Sequence, residues 1–222
     1  TELDPEEQPF LYDHQIDGTP VLPGVMGIEA FGELAKVLFP DWHVAAVEDV
    51  TFLAPFKFYR NQRRKLSLHA SFSRVAEDVL CADCVLVGKR KLPNAEEPVE
   101  TRHFAARVRL QRSALPEETV DVPKSADGPE VAKDAIYDVY FHGPAYQVIE
   151  KAWRSNGAVV ALLPQTLPED QKPTARQEML PRLIELCFQT AGLWEIGKTG
   201  KMGLPNRVEQ VSVLRDVGQA EG

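Results

Sequence analysis

Apolar positions in the first third of the chain fall into two periods. Val25, Ile28, Phe31, Leu34, Ala35 and Leu38 recur three or four residues apart, which predicts a helix over residues 25–39 buried along one side. Pro40 stops it, because proline lacks the N–H and clashes with the preceding turn. From residue 43 the period shortens to two. The runs 44–47 and 50–53, then Leu66, Leu68, Ala70 and Phe72, then 79–87, then Phe104, Ala106, Val108 and Leu110 predict strands over 43–59, 66–75, 79–87 and 103–110. Pro55 marks a bend in the first of them, and polar stretches at 76–78 and 91–98 read as turns. A helix followed by such a meander predicts an antiparallel sheet wrapped around one helix.

Residues 113–130 are rich in proline and acid and have no period, so they read as a linker between a first unit, 1–112, and a second, 131–222. The second unit predicts a short helix over 131–140, strands over 146–153 and 158–163, a loop over 164–178, an apolar helix over 179–196 and a strand over 204–214. Its apolar helix resembles the first: residues 27–35 can be laid on 183–191, each with an acid directly after isoleucine, Glu29 and Glu185, and a proline shortly ahead. The pattern predicts an α+β chain of two tandem units. One strand is predicted after the second helix against four after the first, so the second unit is expected to be cut short at residue 222.

Composition adds exclusions. Of 222 residues, 44% are apolar and 26% charged, an ordinary globular balance, while a net charge of −8 argues against nucleic acid or an anionic membrane as partner. The basic run 60–65 reads as a solvated hairpin connection. No segment has the length of a membrane span and none at the N-terminus has the makeup of a signal peptide, so a cytoplasmic protein is expected. Cys81 and Cys84 are spaced as C-x-x-C on a predicted strand, where i and i+3 point to opposite faces; with Cys187 they read as free thiols and not as a metal site.

Candidate chemistry lies ahead of the first helix. His14 sits on a loop stiffened by Gly18, Pro20, Pro23 and Gly24, which runs into the helix start. Proline suits that first turn, and the N–H groups of a helix N-terminus can hold developing negative charge. A histidine there can serve as a base beside an oxyanion donor, or be incidental to a turn before a core helix. His14, Gly18 and Pro23 fit H-x-x-x-G-x-x-x-x-P, and the run 14–30 as a whole resembles the catalytic loop and helix of polyketide synthase dehydratase domains and of bacterial fatty-acid β-hydroxyacyl dehydratases, with one extra residue before Pro20.

That resemblance implies a double hot-dog fold, two tandem units each with a sheet around a central helix, and strand ahead of the catalytic loop. It implies dehydration of a 3-hydroxyacyl thioester carried on the phosphopantetheine of an acyl carrier protein, with no further cofactor and no metal. The segment 181–189 is similar to the D-x-x-x-Q or D-x-x-x-H stretch of the family, with Glu185 at the aspartate position and Gln189 four residues on. His14 is then the base, Glu185 the acid, Gln189 its support and Gly24 the oxyanion donor. Glu29 is the rival acid, but the loop 164–181 carries no histidine to pair with it, so a structural or vestigial role is expected. His142, Gly143, Pro144 and Tyr146 resemble the family's Y-G-P-x-F segment, which implies that they line the substrate tunnel; a plain turn with buried aromatics is the other reading. Within the family the likeness leans to synthases making polyunsaturated or glycolipid-type chains, since His-Gly-Pro replaces Tyr-Gly-Pro. The resemblance further implies a carrier protein in cis, other synthase domains and a homodimer. Three readings stay open: the dehydratase, a product-template-like cyclase or enoyl isomerase on the same fold, and a non-catalytic module of a synthase.

Overall fold

The computed structural model describes residues 1–90, 96–115, 126–169 and 177–214. After β1 (Glu2–Leu3), the hairpin of β2 (Gln15–Ile16) and β3 (Thr19–Pro20) leads into helix α1 (Gly24–Leu38). Four longer strands follow: β4 (His43–Phe52), β5 (Arg64–Ala76), β6 (Val79–Arg90) and β7 (Val99–Gln111). They form an antiparallel sheet in the order β1-β5-β6-β7-β4, with Val47 opposite Val108 and Leu80 opposite Leu110.

The apolar stripe of α1 packs on this sheet. Val25, Ile28, Phe31 and Ala35 are buried, as are Val47, Val50, Leu86, Val108 and Leu110 across from them. Each fully buried side chain of this size contributes on the order of 1.5–3 kcal/mol. Close approach requires Gly27, because a Cβ there would run into the ring of Phe104 on β7. The predicted helix and sheet of the first unit are thus observed. Their boundaries move by a few residues, and the first long strand ends at Phe52, ahead of the bend expected at Pro55.

Beyond residue 126 come β8 (Val131–Ala132), α2 (Lys133–Tyr137), β9 (Lys151–Ser155), β10 (Ala158–Leu162), α3 (Pro181–Thr199) and β11 (Arg207–Ser212). The strands β10-β9-β8 form a second antiparallel sheet. A smaller core of Ile136, Tyr140, Ile149 and Ala152 packs against Leu186, Leu193 and Ile196 of α3. Met179, just ahead of the same helix, and Ile184 in its first turn join the larger core together with Ala145 and Tyr146.

In the second half several expected elements need correction. The helix expected over 131–140 is a two-residue strand and a short helix, since Val131 and Ala132 pair with β9. The strand expected over 146–153 begins only at Lys151, because Pro144–Tyr146 forms a 3-10 turn. The strand expected over 204–214 is β11, and it joins the first sheet, pairing antiparallel with β4 at Val47–Val211. Of the expected linker, residues 116–125 lie outside the described residues, as do 170–176 of the expected loop 164–178. Among the described residues no helix is long and apolar enough to cross a membrane.

Candidate active site

The loop carrying His14 is built by its turn chemistry. Asp17 and Gly18 have positive φ (51° and 71°) between β2 and β3, the two-residue hairpin connection that favours Asp-Gly. Gly18 therefore serves the turn. The returning strand places the Val21 carbonyl against the imidazole, and His14 Nδ1 donates to it at 2.8 Å. This fixes the tautomer, with Nε2 left as the basic nitrogen. Burial holds His14 well below the ordinary histidine value, at about 4, against the opposing influence of the Glu185 charge. The ring is neutral at pH 7.

A second loop zips onto the first. His14 and His142 form an isolated antiparallel bridge, the Gly143 N–H donates to the Asp13 carbonyl at 2.8 Å, and the Ala145 N–H donates to Asp13 Oδ2 at 3.0 Å. A Cβ at Gly143 would collide with Asp13. Pro144 opens the short turn that follows, and Tyr146 is fully buried with its ring edge-on to His14 at 5.9 Å. The tunnel-lining role implied for this segment therefore needs correction. Phe141 and His142 line the cavity described below, whereas Gly143 is held against Asp13, Tyr146 is buried in the core and Pro144 is exposed.

Helix α3 brings Glu185 to the same place. Its carboxyl group is buried, and Oε1 accepts from Gln189 Nε2 at 2.9 Å and meets His142 Nε2 at 3.2 Å. The Gln189 amide is oriented by its own partners. Tyr137 OH donates to Gln189 Oε1 at 2.8 Å while accepting the Ile149 N–H at 2.8 Å, and Gln189 Nε2 also donates to the Tyr146 carbonyl at 2.9 Å. Burial pushes the Glu185 carboxyl up, but the hydrogen bond and charge of His142, the Gln189 amide and the charge of His14 together bring it below the ordinary glutamate value. The His14 contribution applies only when that ring is charged.

His14, Glu185 and Gln189 line one cavity of about 630 Å³, whose wall includes Gly24, Phe52 and Phe188. Pro23 caps α1 and Gly24 is its first residue. A Cβ at Gly24 would come within 2.6 Å of the Phe52 ring, so only glycine lets the helix start lie against that wall.

Glu29 is placed differently. Oε1 accepts the Glu178 N–H at 2.5 Å and Oε2 the Met179 N–H at 2.8 Å. Burial raises its carboxyl to about 7 despite these two donors, and it is not among the residues lining the cavity. Sequence reasoning missed three features: Asp13 as the tie between the loops, Tyr137 as the anchor of Gln189, and the contact of His142 with Glu185. The apolar neighbours of His142, and its place directly before Gly143-Pro144, were the available signal for the last.

Comparison with known proteins identifies the family and the fold. The family described as polyketide synthase dehydratase domain matches residues 1–79, and that described as polyketide synthase dehydratase N-terminal domain matches residues 111–221. A polyunsaturated fatty acid synthase polypeptide of Thraustochytrium sp. is 25% identical over 219 residues, which are 95% of this chain and 8% of that protein. Polyketide synthase GfsE of Streptomyces halstedii is 28% identical over 216 residues, 93% of this chain and 5% of that protein. The chain thus spans less than a tenth of the length of these curated relatives. Among solved structures, the dehydratase domain from the CurF module of the curacin polyketide synthase superposes with a TM-score of 0.76 at 18% identity, covering 95% of this chain and 75% of that one. A trans-AT polyketide synthase dehydratase domain from Brevibacillus brevis gives 0.71 at 20% identity, covering 96% and 76%. The fold is the double hot-dog. The chain belongs to the polyketide synthase dehydratase domain family.

Proposed function

We propose that the chain dehydrates a 3-hydroxyacyl thioester, carried on the phosphopantetheine of an acyl carrier protein, to the 2-enoyl thioester. The observation that carries this reading is that His14 and Glu185, drawn from opposite ends of the chain, line one largely apolar cavity. His14 Nε2 takes the C2 proton, since the Nδ1–H is held by the Val21 carbonyl. The C2–H electron pair forms the C2=C3 bond, and the C3–O bond breaks as Glu185 gives its proton to the departing hydroxyl, releasing water. The Gly24 N–H, at the positive end of the α1 dipole, stabilises the thioester oxygen as charge develops on it. Burial opposes the charged form of Glu185, yet the groups around it hold the carboxyl below the ordinary glutamate value; a bound acyl chain that displaces water raises it, and the proposed step requires Glu185 to carry its proton in the substrate complex.

Every proton in this scheme moves through a side chain of the protein, and no cofactor or metal enters it. Both relatives continue far beyond the matched region, which supports a domain working beside other synthase domains; a carrier protein in the same polypeptide, a homodimer and a cytoplasmic setting belong to the same proposal. Incubation with a 3-hydroxyacyl carrier-protein thioester, followed by intact mass measurement, tests the reading. Loss of one water is expected, falling by about 10²-fold or more in His14→Ala and Glu185→Gln. Dehydration that survives both substitutions refutes the assignment of base and acid, and an unchanged substrate with folded protein refutes the activity.

A further inference from the structure

The reaction above uses one of the two histidines that line the cavity with Glu185. We propose that the other, His142, is a positioning residue that donates from Nε2 to Glu185 Oε1, so that Gln189 and His142 share one carboxyl oxygen and the transferable proton is confined to the other. This inference rests on Glu185 being the acid.

Three observations carry it. His142 is buried, 8% exposed, and its Nε2 lies 3.2 Å from Glu185 Oε1. Its Nδ1 is buried and has no hydrogen-bond partner among the described residues. A proton on Nδ1 would be a buried donor with nothing to give to, and buried orphan donors are costly, so the ring carries its hydrogen on Nε2. The direction of the contact is then set, with imidazole donating and carboxyl accepting.

The second observation is that both donors converge on the same atom. Gln189 Nε2 reaches Oε1 at 2.9 Å and is prevented from flipping by the Tyr137 hydroxyl on its oxygen. A protonated carboxyl group has one carbonyl-like oxygen that accepts and one hydroxyl that donates. Two N–H groups on Oε1 make it the accepting oxygen, and Oε2 is left to carry the hydrogen. An acid held this way cannot exchange the roles of its oxygens without breaking two hydrogen bonds.

The third is that His142 is fixed by the same framework that fixes the base. Its ring stacks on Phe141 at 4.2 Å and 22°, its carbonyl accepts from Gln147 Nε2 at 3.2 Å, and its backbone is bridged to His14. With Asp13 holding Gly143 and Ala145, the loop sets the acid's orientation and the base's position together.

The test compares His142→Phe, which keeps a stacking ring without the donor, with His142→Gln, whose amide N–H can stand where Nε2 stood. We expect kcat for dehydration to fall about 10–100-fold in His142→Phe with KM within about twofold of wild type, and His142→Gln to recover most of the loss. Histidine side-chain ¹⁵N spectra of the unsubstituted protein give a reading independent of activity: the resonance that disappears in His142→Gln is expected to show the Nε2–H tautomer. An Nδ1–H tautomer overturns the proposal, as does a His142→Phe enzyme with wild-type kcat, or a His142→Gln enzyme as slow as His142→Phe. Those outcomes leave Glu185→Gln inactive. If Glu185→Gln is itself active, the acid assignment has failed, and the role of His142 falls with it.

Discussion

Two buried groups on the first unit predict opposite pH dependences of stability that hide each other in the native protein. His14 is held at about 4 against an ordinary 6.5, so between these values the unfolded chain binds a proton that the folded one refuses. Its contribution to stability is complete above about pH 6.5 and is lost as the pH falls towards 4. At about 1.4 kcal/mol per pH unit, the full change is about 3 kcal/mol. Glu29 has the reverse sign. It is raised to about 7 from an ordinary 4.5, so the folded chain keeps a proton that the unfolded one releases, and its contribution is complete below 4.5 and lost as the pH rises towards 7, again by about 3 kcal/mol. From pH 4.5 to 6.5 the two slopes cancel. Urea unfolding across this window separates them. His14→Asn retains an N–H for the Val21 carbonyl but cannot titrate, so relative to wild type its stability should fall with rising pH. Glu29→Gln, lacking the carboxyl titration, should lose stability relative to wild type as the pH drops. Each difference should reach about 3 kcal/mol from one end of the window to the other. Variants whose stability tracks wild type at every pH would refute the burial argument for both groups.

Two further outcomes follow from contacts that support the site. Gly27→Ala places a methyl group against the Phe104 ring; the overpacking cost of about 1–3 kcal/mol exceeds the helix-propensity gain of about 1 kcal/mol, so the melting temperature should fall by a few degrees in calorimetry. Tyr137→Phe strips the hydroxyl that joins the Ile149 N–H to Gln189 Oε1. Leaving those buried groups unpaired should cost about 1–3 kcal/mol in chemical denaturation, and the freed amide should lower kcat more than it changes KM.

What the sequence disclosed follows from the range of the interactions involved. Helix α1 was legible because its buried stripe is set by spacing within the segment, and β5 to β7 because strands that follow one another in the sequence pair with one another. The partner of β11 was not legible. Its burial alternates only weakly, and nothing local tells such a strand that it will pair with β4, more than 150 residues earlier, instead of closing the second sheet. The helix expected over 131–140 failed for the same reason, since pairing with β9 converts its first two residues to strand. At the site, His14 was legible from its loop, and Glu185 from family resemblance together with its place on an apolar helix. His142 as the neighbour of Glu185 was not, because their contact depends on the bridge between the two loops, and a single bridge leaves no period in the sequence.

The like placement of Glu29 and Glu185, each directly after an isoleucine on an apolar helix, raises the question of why one should act as an acid and the other not. The answer lies in where their donors attach. The two N–H groups that hold Glu29 come from consecutive backbone positions and take one oxygen each, so neither oxygen remains to meet a substrate, and the carboxyl group ties the approach to α3 onto α1. The two that hold Glu185 come from side chains and meet on a single oxygen. That leaves the other oxygen for chemistry beside the cavity that His14 also lines. Carboxyl groups at like places thus do different work in the two units: at Glu29 the group joins the helices whose packing fixes the site, and at Glu185 it supplies the proton, under the assignment proposed above. The division requires the loop at Glu178 and Met179 to close over one acid and the His142 loop to reach the other, which is why the two helices can look alike in sequence and still give the chain one base-and-acid pair.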